Sequence, residues 1–261
     1  MAADHTAESR PGRTAAPMDH VVPIKSEALR TACSGCNLRE LCLPIALTED
    51  ELDDLDALVA LRMHVKRGET LFRVHDAFDA IYAVRAGFFK SRITSDDGRD
   101  QVIGFHMAGE LLGLDGIGDG KHACDAIALE DSHVCVIPFE RLETLSRQHL
   151  GLQRQFHVLM SRELVRDHDV MLLLGSMQAE ARVTAFLLNL IQRLRARGYS
   201  GSSLILRMTR EEIGSYLGLK IETVSRTFST LQRDGVLAVH RRDVEILDEG
   251  DLRRRVSRST C

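Results

Sequence analysis

The hydrophobic pattern of the chain changes character along its length. From about residue 62 to 140, short alternating apolar runs are separated by glycine and aspartate, as in Thr70–Phe72, Ile81–Val84, Val102–Phe105 and Val134–Ile137. Runs of this length and period are typical of antiparallel strands joined by tight turns. The pattern predicts an antiparallel sandwich or barrel of the jelly-roll type.

A helical period follows the strands. From Leu142 to about Met177 the chain has no proline, and the pattern predicts one long helix with two apolar stripes. The first stripe has heptad spacing, which indicates pairing with another helix, and it consists of Met160, Leu164, Asp167, Met171 and Leu174. The second stripe consists of Phe156, Leu159, Val170 and Leu173. We expect one stripe to pack on its own domain and the other to form a homodimer; burial of the whole helix in a single core is the alternative.

Residues 209–233 have the pattern of two short helices joined by a tight turn. Thr209 is placed to cap the first helix, and Gly218 stands at the turn, where a residue without a Cβ is favoured. The inward face of the second helix is formed by Val224, Phe228 and Leu231. This is the helix-turn-helix pattern. Apolar runs on both sides of residues 240–243 predict a hairpin wing after it.

The outward face of the second helix predicts the DNA contacts. Arginine can donate two hydrogen bonds to guanine, and a carboxylate can accept one from cytosine. The expected base-reading residues are Glu222, Ser225 and Arg226. The residues expected to hold phosphates are Thr209, Lys220 and Arg241. A plain helical hairpin with exposed charges is the alternative.

The distribution of charge fits a region that binds nucleic acid, and a solvated charged surface is an equal alternative. The net charge is −4, but basic residues are in excess in the C-terminal third and acidic residues elsewhere, which is typical of a region that meets a polyanion. The first thirty residues lack the apolar stretch of a secretory signal, and no apolar run is long enough to span a membrane. We therefore expect a cytoplasmic protein, in which disulfides are rare.

Six cysteines are the remaining chemical signal. Cys33, Cys36 and Cys42 lie within ten residues and can converge on one centre. The candidates for a fourth ligand are Cys124, Cys135 and Cys261. Four thiolates suit zinc as well as an iron–sulfur cluster, although zinc ligands usually come as two close pairs. The residues alone leave both metals open, and reduced structural thiols are a further alternative.

Four segments resemble the CRP/FNR regulator family, and within it the FNR-type oxygen-responsive regulators. They are IYAVRAGFFKS (81–91), GFHMAGELLGLDGIG (104–118), CVIPFERLETL (135–145) and MTREEIGSYLGLKIETVSRTF (208–228). The resemblance covers nearly the whole chain from Cys33 onward. It implies an α+β protein with a cupin-like, jelly-roll β-barrel sensory domain (47–145), a long dimerisation helix (146–177) and a winged helix-turn-helix (178–261). A disordered tail (1–32) and a cysteine-rich, cluster-binding loop (33–46) precede them.

The resemblance also implies a cofactor and a signal. The segment that begins at Cys135 matches the one that carries the fourth ligand in FNR-type proteins, so a [4Fe-4S] cluster would be held by Cys33, Cys36, Cys42 and Cys135. Oxygen would dismantle the cluster and separate the dimer. Repulsion between the two copies of Asp167 across the seam would favour that separation. Cys124 and Cys261 would then be spare thiols.

The resemblance further implies a transcription regulator that binds double-stranded DNA as a homodimer, contacts RNA polymerase and is not an enzyme. Retention of Glu222, Ser225 and Arg226 resembles readers of TTGAT and its inverted repeat ATCAA. The Arg-Ser pair that holds a cyclic phosphate in nucleotide-binding members is missing after Gly109-Glu110, so no cyclic nucleotide is expected. The alternatives are a zinc- or thiol-redox-controlled regulator on the same fold, a cyclic-nucleotide sensor, and a metalloenzyme, for which the histidines are too scattered.

Overall fold

The protein is described here from a computed structural model, which covers residues 33–38, 41–43, 47–59, 61–95 and 98–258. The expected disordered tail (1–32) and the spare thiol Cys261 lie outside the described residues. Across the covered ranges, none of the helices combines the length and the apolar character that crossing a bilayer requires.

The region expected to form the sensory domain consists of two four-stranded antiparallel sheets. The first has the strand order β1-β8-β3-β6 and the second β2-β7-β4-β5. The strands are β1 (Leu61–Val65), β2 (Thr70–Phe72), β3 (Ala80–Ala86), β4 (Phe88–Thr94), β5 (Asp100–Met107), β6 (Leu111–Leu112), β7 (Asp125–Ala128) and β8 (Ser132–Pro138). Among the described strands no ladder joins the two sheets, so the predicted jelly roll is confirmed, but as a sandwich rather than a closed barrel.

Alternation along the strands gives each sheet two apolar faces. The interior of the sandwich contains Phe72, Val84, Phe89 and Val134. The outer face of the first sheet presents Ile81, Ala83, Leu111, Cys135 and Ile137 to the helices beside it. The outer face of the second sheet presents Phe88, Val102, Phe105 and Met107 to the C-terminal domain. Each sheet is therefore covered by a different part of the chain.

Helices α1 (Glu49–Leu58), α2 (Phe139–Gln148) and α3 (Leu150–Ser176) cover the first sheet. Helix α1 begins with a capping box, in which the Thr48 hydroxyl and the Glu51 carboxylate each accept a backbone hydrogen bond from the other residue. The prediction of one long helix from Leu142 to Met177 is wrong, because the helix is interrupted at His149, which has extended backbone angles. The His149 ring lies 2.9 Å from Asp54 of α1, and this tertiary contact accompanies the break. The domain boundary expected at residue 146 thus falls inside α2.

The C-terminal domain has the predicted winged helix-turn-helix elements. They are α4 (Ala179–Arg195), β9 (Ser203–Ile205), α5 (Arg210–Leu217), α6 (Ile221–Arg233), β10 (Leu237–His240) and β11 (Asp243–Ile246). The three strands form one sheet in the order β10-β11-β9. A last helix, α7 (Glu249–Arg258), packs on α4 and was not predicted from the sequence.

Arg182 connects the end of the long helix to the helix-turn-helix. Its guanidinium group donates to the carbonyl oxygens of Leu174 (2.8 Å), Met177 (2.9 Å) and Leu217 (3.1 Å). These carbonyls belong to the last turn of α3, the link to α4 and the last turn of α5, where helical carbonyls lack intrahelical partners. One side chain thus ties three segments together.

Candidate cysteine site and DNA interface

The structure places Cys33, Cys42 and Cys135 in one apolar cluster outside the sandwich, with Cys36 within electrostatic range of Cys42 and Cys135. The charges of Cys42 and Cys135 each raise the pKa of Cys33, and that of Cys36 raises the pKa of both Cys42 and Cys135. Interactions of this kind require the sulfur atoms to lie near one another. Cys33 and Cys42 also pack into the same apolar cluster as Cys135. The four ligands expected from the family resemblance are therefore neighbours.

Burial determines the protonation of these thiols. Burial raises the pKa of Cys33, helped by the Asp56 carboxylate, and raises the pKa of Cys42 to about 12. Burial also raises the pKa of Cys135, against the opposing charges of Arg62 and Arg85. Thiolates are the form that binds metals, so a bound cation must supply the stabilisation that water cannot. Metal loading at this site would release protons.

Four thiol groups are suitable ligands for a soft metal centre. Their sulfur atoms are not arranged around a single point. Over the ranges that the structure covers, no three His, Cys, Asp or Glu side chains are arranged to hold a single metal ion. In a four-iron cluster each thiolate binds a different iron, so the sulfur atoms need not converge on one point. The chemical fit therefore rests on four neighbouring thiols in an apolar, partly buried site.

Cys124 belongs to a different environment. It is buried in the interior cluster of the sandwich, and its thiol lies 3.5 Å from the Asp115 carboxylate. Burial raises its pKa to about 12. Cys135 faces out of the sandwich towards the cysteine loop, and Cys124 faces into it. Cys124 and Cys135 thus lie on opposite faces of the sheets, although they are only eleven residues apart in the chain.

Arginine side chains border the fourth thiol. Arg62 is the cross-strand neighbour of Cys135 in the pairing of β1 with β8. Arg85, near the end of β3, donates a hydrogen bond to the Cys135 thiol. Positive charge and hydrogen bonds to sulfur stabilise an anionic thiolate centre. No local sequence pattern indicates these two residues, because their proximity to Cys135 depends on strand pairing.

The helix-turn-helix is held by a tight turn. Gly218 has φ 62° and ψ 36°, a left-handed conformation that glycine adopts without a Cβ penalty. The Leu219 amide then donates to the Gly214 carbonyl at 2.8 Å. Gly214 was missed by the sequence analysis. A Cβ on Gly214 would stand 2.6 Å from the Leu219 carbonyl oxygen, so the turn has no room for a side chain there.

Gly214→Ala is expected to destabilise the C-terminal domain by about 1–3 kcal/mol, because the added methyl overlaps backbone. Gly175→Ala on α3 is the matched control, since a Cβ there meets nothing within 4 Å. Thermal unfolding should show a lower midpoint for the first variant and an equal or slightly higher one for the second. Equal midpoints would mean that the turn is looser than described.

The predicted base-reading residues share one exposed face of α6. Glu222, Ser225 and Arg226 are all exposed, whereas Val224, Phe228 and Leu231 are buried. No ion pair found within the described ranges involves Arg226, so its guanidinium group is available to a partner. Lys220 is the N-cap of α6 and is exposed without a side-chain capping bond. The first turn of α6 therefore presents free amides and side chains on one surface.

Two other expected phosphate contacts are positioned by local structure. The Thr209 hydroxyl accepts from the Glu212 amide at 3.1 Å and so caps α5. Glu212 in turn forms an ion pair with Lys90 of β4 at 2.6 Å. Arg241 is exposed at the tip of the wing, with φ 57°.

Arg210, which the sequence analysis did not single out, lies 3.2 Å from the centre of the Phe228 ring and holds α5 against α6.

The heptad seam on α3 is partly exposed. Leu164 and Met171 are 59% and 64% exposed, and Asp167 between them is exposed as well. Met160 and Leu174 are half-buried. Three further apolar side chains extend the exposed surface and were missed by the seam analysis: Val158, Val165 and Leu172. The second stripe packs inward, with Leu159 buried and Phe156 and Leu173 packed against the two cores.

Comparison with known proteins identifies both domains. Residues 62–149 match the model of the cyclic nucleotide-binding domain, and residues 181–255 match the model of the Crp-like helix-turn-helix domain. The first match coincides with the sandwich and α2, and the second with α4 to α7.

Relatives match over most of the chain. The transcriptional regulatory protein btr of Bordetella pertussis is 44% identical, covering 94% of this chain and 100% of the relative. The fumarate and nitrate reduction regulatory protein of Escherichia coli is 44% identical over 83% of this chain and 86% of its own. The structure of FixK2 from Bradyrhizobium japonicum superposes with a TM-score of 0.69, at 30% identity over 74% of this chain and 96% of that one. The protein therefore belongs to the CRP/FNR family of DNA-binding transcription regulators, which are not enzymes.

Proposed function

We propose that this regulator senses oxygen through a [4Fe-4S] cluster held by Cys33, Cys36, Cys42 and Cys135. The observation that carries the proposal is the position of the thiols against the long helix. Cys33, Cys42 and Cys135 share an apolar cluster with Leu152 and Leu159 of α3. The Gln155 side chain of α3 also donates to the Cys42 carbonyl at 3.4 Å. A change at the thiols would therefore be felt by α3.

The bound cluster would supply a redox centre that oxygen degrades. The chain's own contribution is to bring four thiolates together, exclude water with Leu43, Leu55 and Ile137, and connect them to α3. A bound cluster would hold the cysteine loop against α3 through the four thiolates. Without it, the buried thiols would be protonated and the loop would lack the cation that organises it.

Dimerisation is the proposed link from the cysteine site to DNA. Leu164 and Met171 belong to a group of exposed apolar side chains on α3. Contiguous apolar patches of this kind mark interaction sites. The proposed seam consists of Met160, Leu164, Asp167, Met171 and Leu174. Two copies joined there would present two α6 helices to the half-sites of a TTGAT/ATCAA palindrome. RNA polymerase is the proposed further partner.

We also propose that the domain binds no cyclic nucleotide. Glu110, the acid of the Gly109-Glu110 pair, is buried and already engaged by Arg193 and Arg197, each at 2.6 Å. Such a carboxylate has no free oxygen lone pair directed at a ligand. Thermal unfolding with and without cAMP would check this; a rise in the unfolding midpoint would contradict the proposal.

Anaerobic purification, followed by iron and sulfide analysis and an absorption spectrum before and after air, tests the sensor proposal. About four irons and four sulfides per chain, with broad visible absorbance that bleaches in air, are expected. A colourless protein with one zinc would instead support a zinc-stabilised regulator on the same fold. A metal-free protein whose DNA binding depends on thiol oxidation would support a thiol-redox regulator.

Asp167→Ala is expected to give a dimer that persists in air. Two unit charges 4 Å apart repel by about 4 kcal/mol at an effective dielectric of 20, so their removal should lower the dimer dissociation constant about tenfold or more. Asp169→Ala is the matched control, because Asp169 is exposed on another face of α3. Sedimentation velocity in air measures both. If the Asp167 variant becomes monomeric in air to the same extent as the parent protein, charge repulsion is not the cause of dimer dissociation.

A further inference from the structure

Glu110 lies at the centre of a buried charge cluster between the two domains. It follows β5 in the turn to β6 and is only 7% exposed. Its carboxylate oxygens lie 2.6 Å from Arg193 and 2.6 Å from Arg197, both on or just after α4. Arg166 of α3 approaches the same carboxylate at 3.4 Å. We call these four residues the Glu110 cluster.

The arginines of the Glu110 cluster also bind sensory-domain backbone. Arg193 donates to the Phe105 carbonyl at 2.6 Å, and Arg197 donates to the Ala108 carbonyl. Planar guanidinium groups that satisfy a carboxylate and a carbonyl together have a fixed orientation. The end of α4 is thereby attached to the strand β5 and its turn at several points.

Three guanidinium groups surround the single carboxylate of the Glu110 cluster. Burial would raise the pKa of Glu110, but Arg193, Arg166 and Arg197 outweigh it and lower the pKa to about 2. Arg166 has a second partner in Glu163 at 2.9 Å. Breaking a buried, hydrogen-bonded ion group by removing one partner leaves uncompensated charge, so the cluster strongly favours the one arrangement that closes it.

The cysteine loop approaches the Glu110 cluster at Gly109, the residue that precedes Glu110. Gly109 has φ 88°, and a Cβ on it would stand 2.9 Å from the Leu41 Cβ. Leu41 immediately precedes the thiol of Cys42 in the chain. The candidate cluster-binding loop, α3 and the DNA-binding domain therefore meet at one turn of the backbone.

We propose that Glu110 is a positioning residue for DNA binding, which holds the winged helix-turn-helix at one orientation on the sensory domain through Arg193 and Arg197. In a dimer this orientation fixes the distance between the two α6 helices. The inference rests on the proposed dimeric reading of a palindrome. It assigns to Glu110 a role in half-site spacing rather than in ligand binding.

The test compares palindromes whose spacer is altered. Full-length Glu110→Gln, prepared anaerobically beside the parent protein, is titrated with the TTGAT/ATCAA palindrome and with versions whose spacer is one base pair longer or shorter. We expect the affinity for the best spacer to fall about tenfold or more and the preference among spacers to flatten. Iron content, dimerisation and affinity for a single half-site should match the parent.

Two further variants separate positioning from general stability. Arg197→Met removes the arginine partner of Glu110 on the C-terminal domain and should flatten the spacer preference in the same way. This variant also tests the proposal if Glu110→Gln does not fold. Arg92→Met breaks the Arg92–Asp125 pair (2.7 Å) within the sensory domain, and should lower the unfolding midpoint without changing spacer preference.

Each outcome bears on a different claim. A sharp spacer preference retained by the folded Glu110 and Arg197 variants would overturn the positioning role and leave a merely stabilising one. A parent protein that binds all spacers and single half-sites equally would instead overturn the proposed dimeric reading of DNA. Flattened preference in both variants, with an unchanged dimer, supports the inference.

Discussion

Cys135→Ser is expected to abolish the cluster and, with it, tight binding to the palindrome. Serine has nearly the size of cysteine but does not provide a thiolate, so the buried site loses its fourth soft ligand. Anaerobically purified variant should contain little iron and show no broad visible absorbance. Without the dimer, one domain holds one half-site, and the affinity for the palindrome should fall by at least about a hundredfold.

Cys124→Ser is the matched control for this prediction. Cys124 is also buried, but its thiol lies against Asp115 in the interior of the sandwich and takes no part in the group of four. The variant should retain its iron, its colour and its DNA affinity. Iron retained by the Cys135 variant, or lost by the Cys124 variant, would mean that the proposed ligand set is wrong.

Arg226→Met is expected to have the largest effect on sequence recognition. Each copy of Arg226 is exposed on the outward face of α6, and a bidentate contact with guanine contributes about 1–3 kcal/mol of discrimination. Both half-sites lose the contact, so the affinity for the palindrome should fall between about thirtyfold and ten-thousandfold. Titration against the palindrome and against a duplex with the guanine replaced measures the change.

Arg241→Met is the control for loss of charge alone. Arg241 is exposed at the wing tip, where a phosphate contact would strengthen binding to every sequence. This variant should weaken specific and random DNA to a similar extent and reduce the salt dependence of binding. If Arg226→Met also weakened both DNAs equally, Arg226 would contact the backbone rather than a base.

The local elements of this protein were predictable because neighbouring residues determine them. The capping boxes that start α1 and α5 depend on pairs three residues apart, Thr48 with Glu51 and Thr209 with Glu212. The alternation that predicts strands and the turn at Gly218 are equally short-range signals. For this reason most strands of the sandwich, the helix-turn-helix and the wing were predicted from the sequence close to where the structure has them, whereas the strands β6 and β7 were not predicted.

Features that depend on tertiary contacts were less predictable, because no neighbouring residues in the chain indicate them. The break at His149 has no proline beside it, only Gly151 two residues later, and it coincides with a contact to Asp54 of α1. The helix α7 buries only Leu252 fully in the core, and its arginines form ion pairs, as in the contact of Arg255 with Glu180 at 2.6 Å. A pattern search for apolar periodicity does not detect such a helix.

The sequence by itself determined the order of the elements, the outward face of α6 and three clustered thiols. It left the fourth thiol open until the family resemblance favoured Cys135, and it assigned no role to Glu110. Where these two side chains lie depends on the tertiary structure. Cys135 faces the cysteine loop because strand alternation turns it outward, while Cys124 is enclosed between the sheets. Glu110 meets Arg193 and Arg197 only because the C-terminal domain folds back onto the second sheet, a contact between residues far apart in the chain that no local pattern encodes.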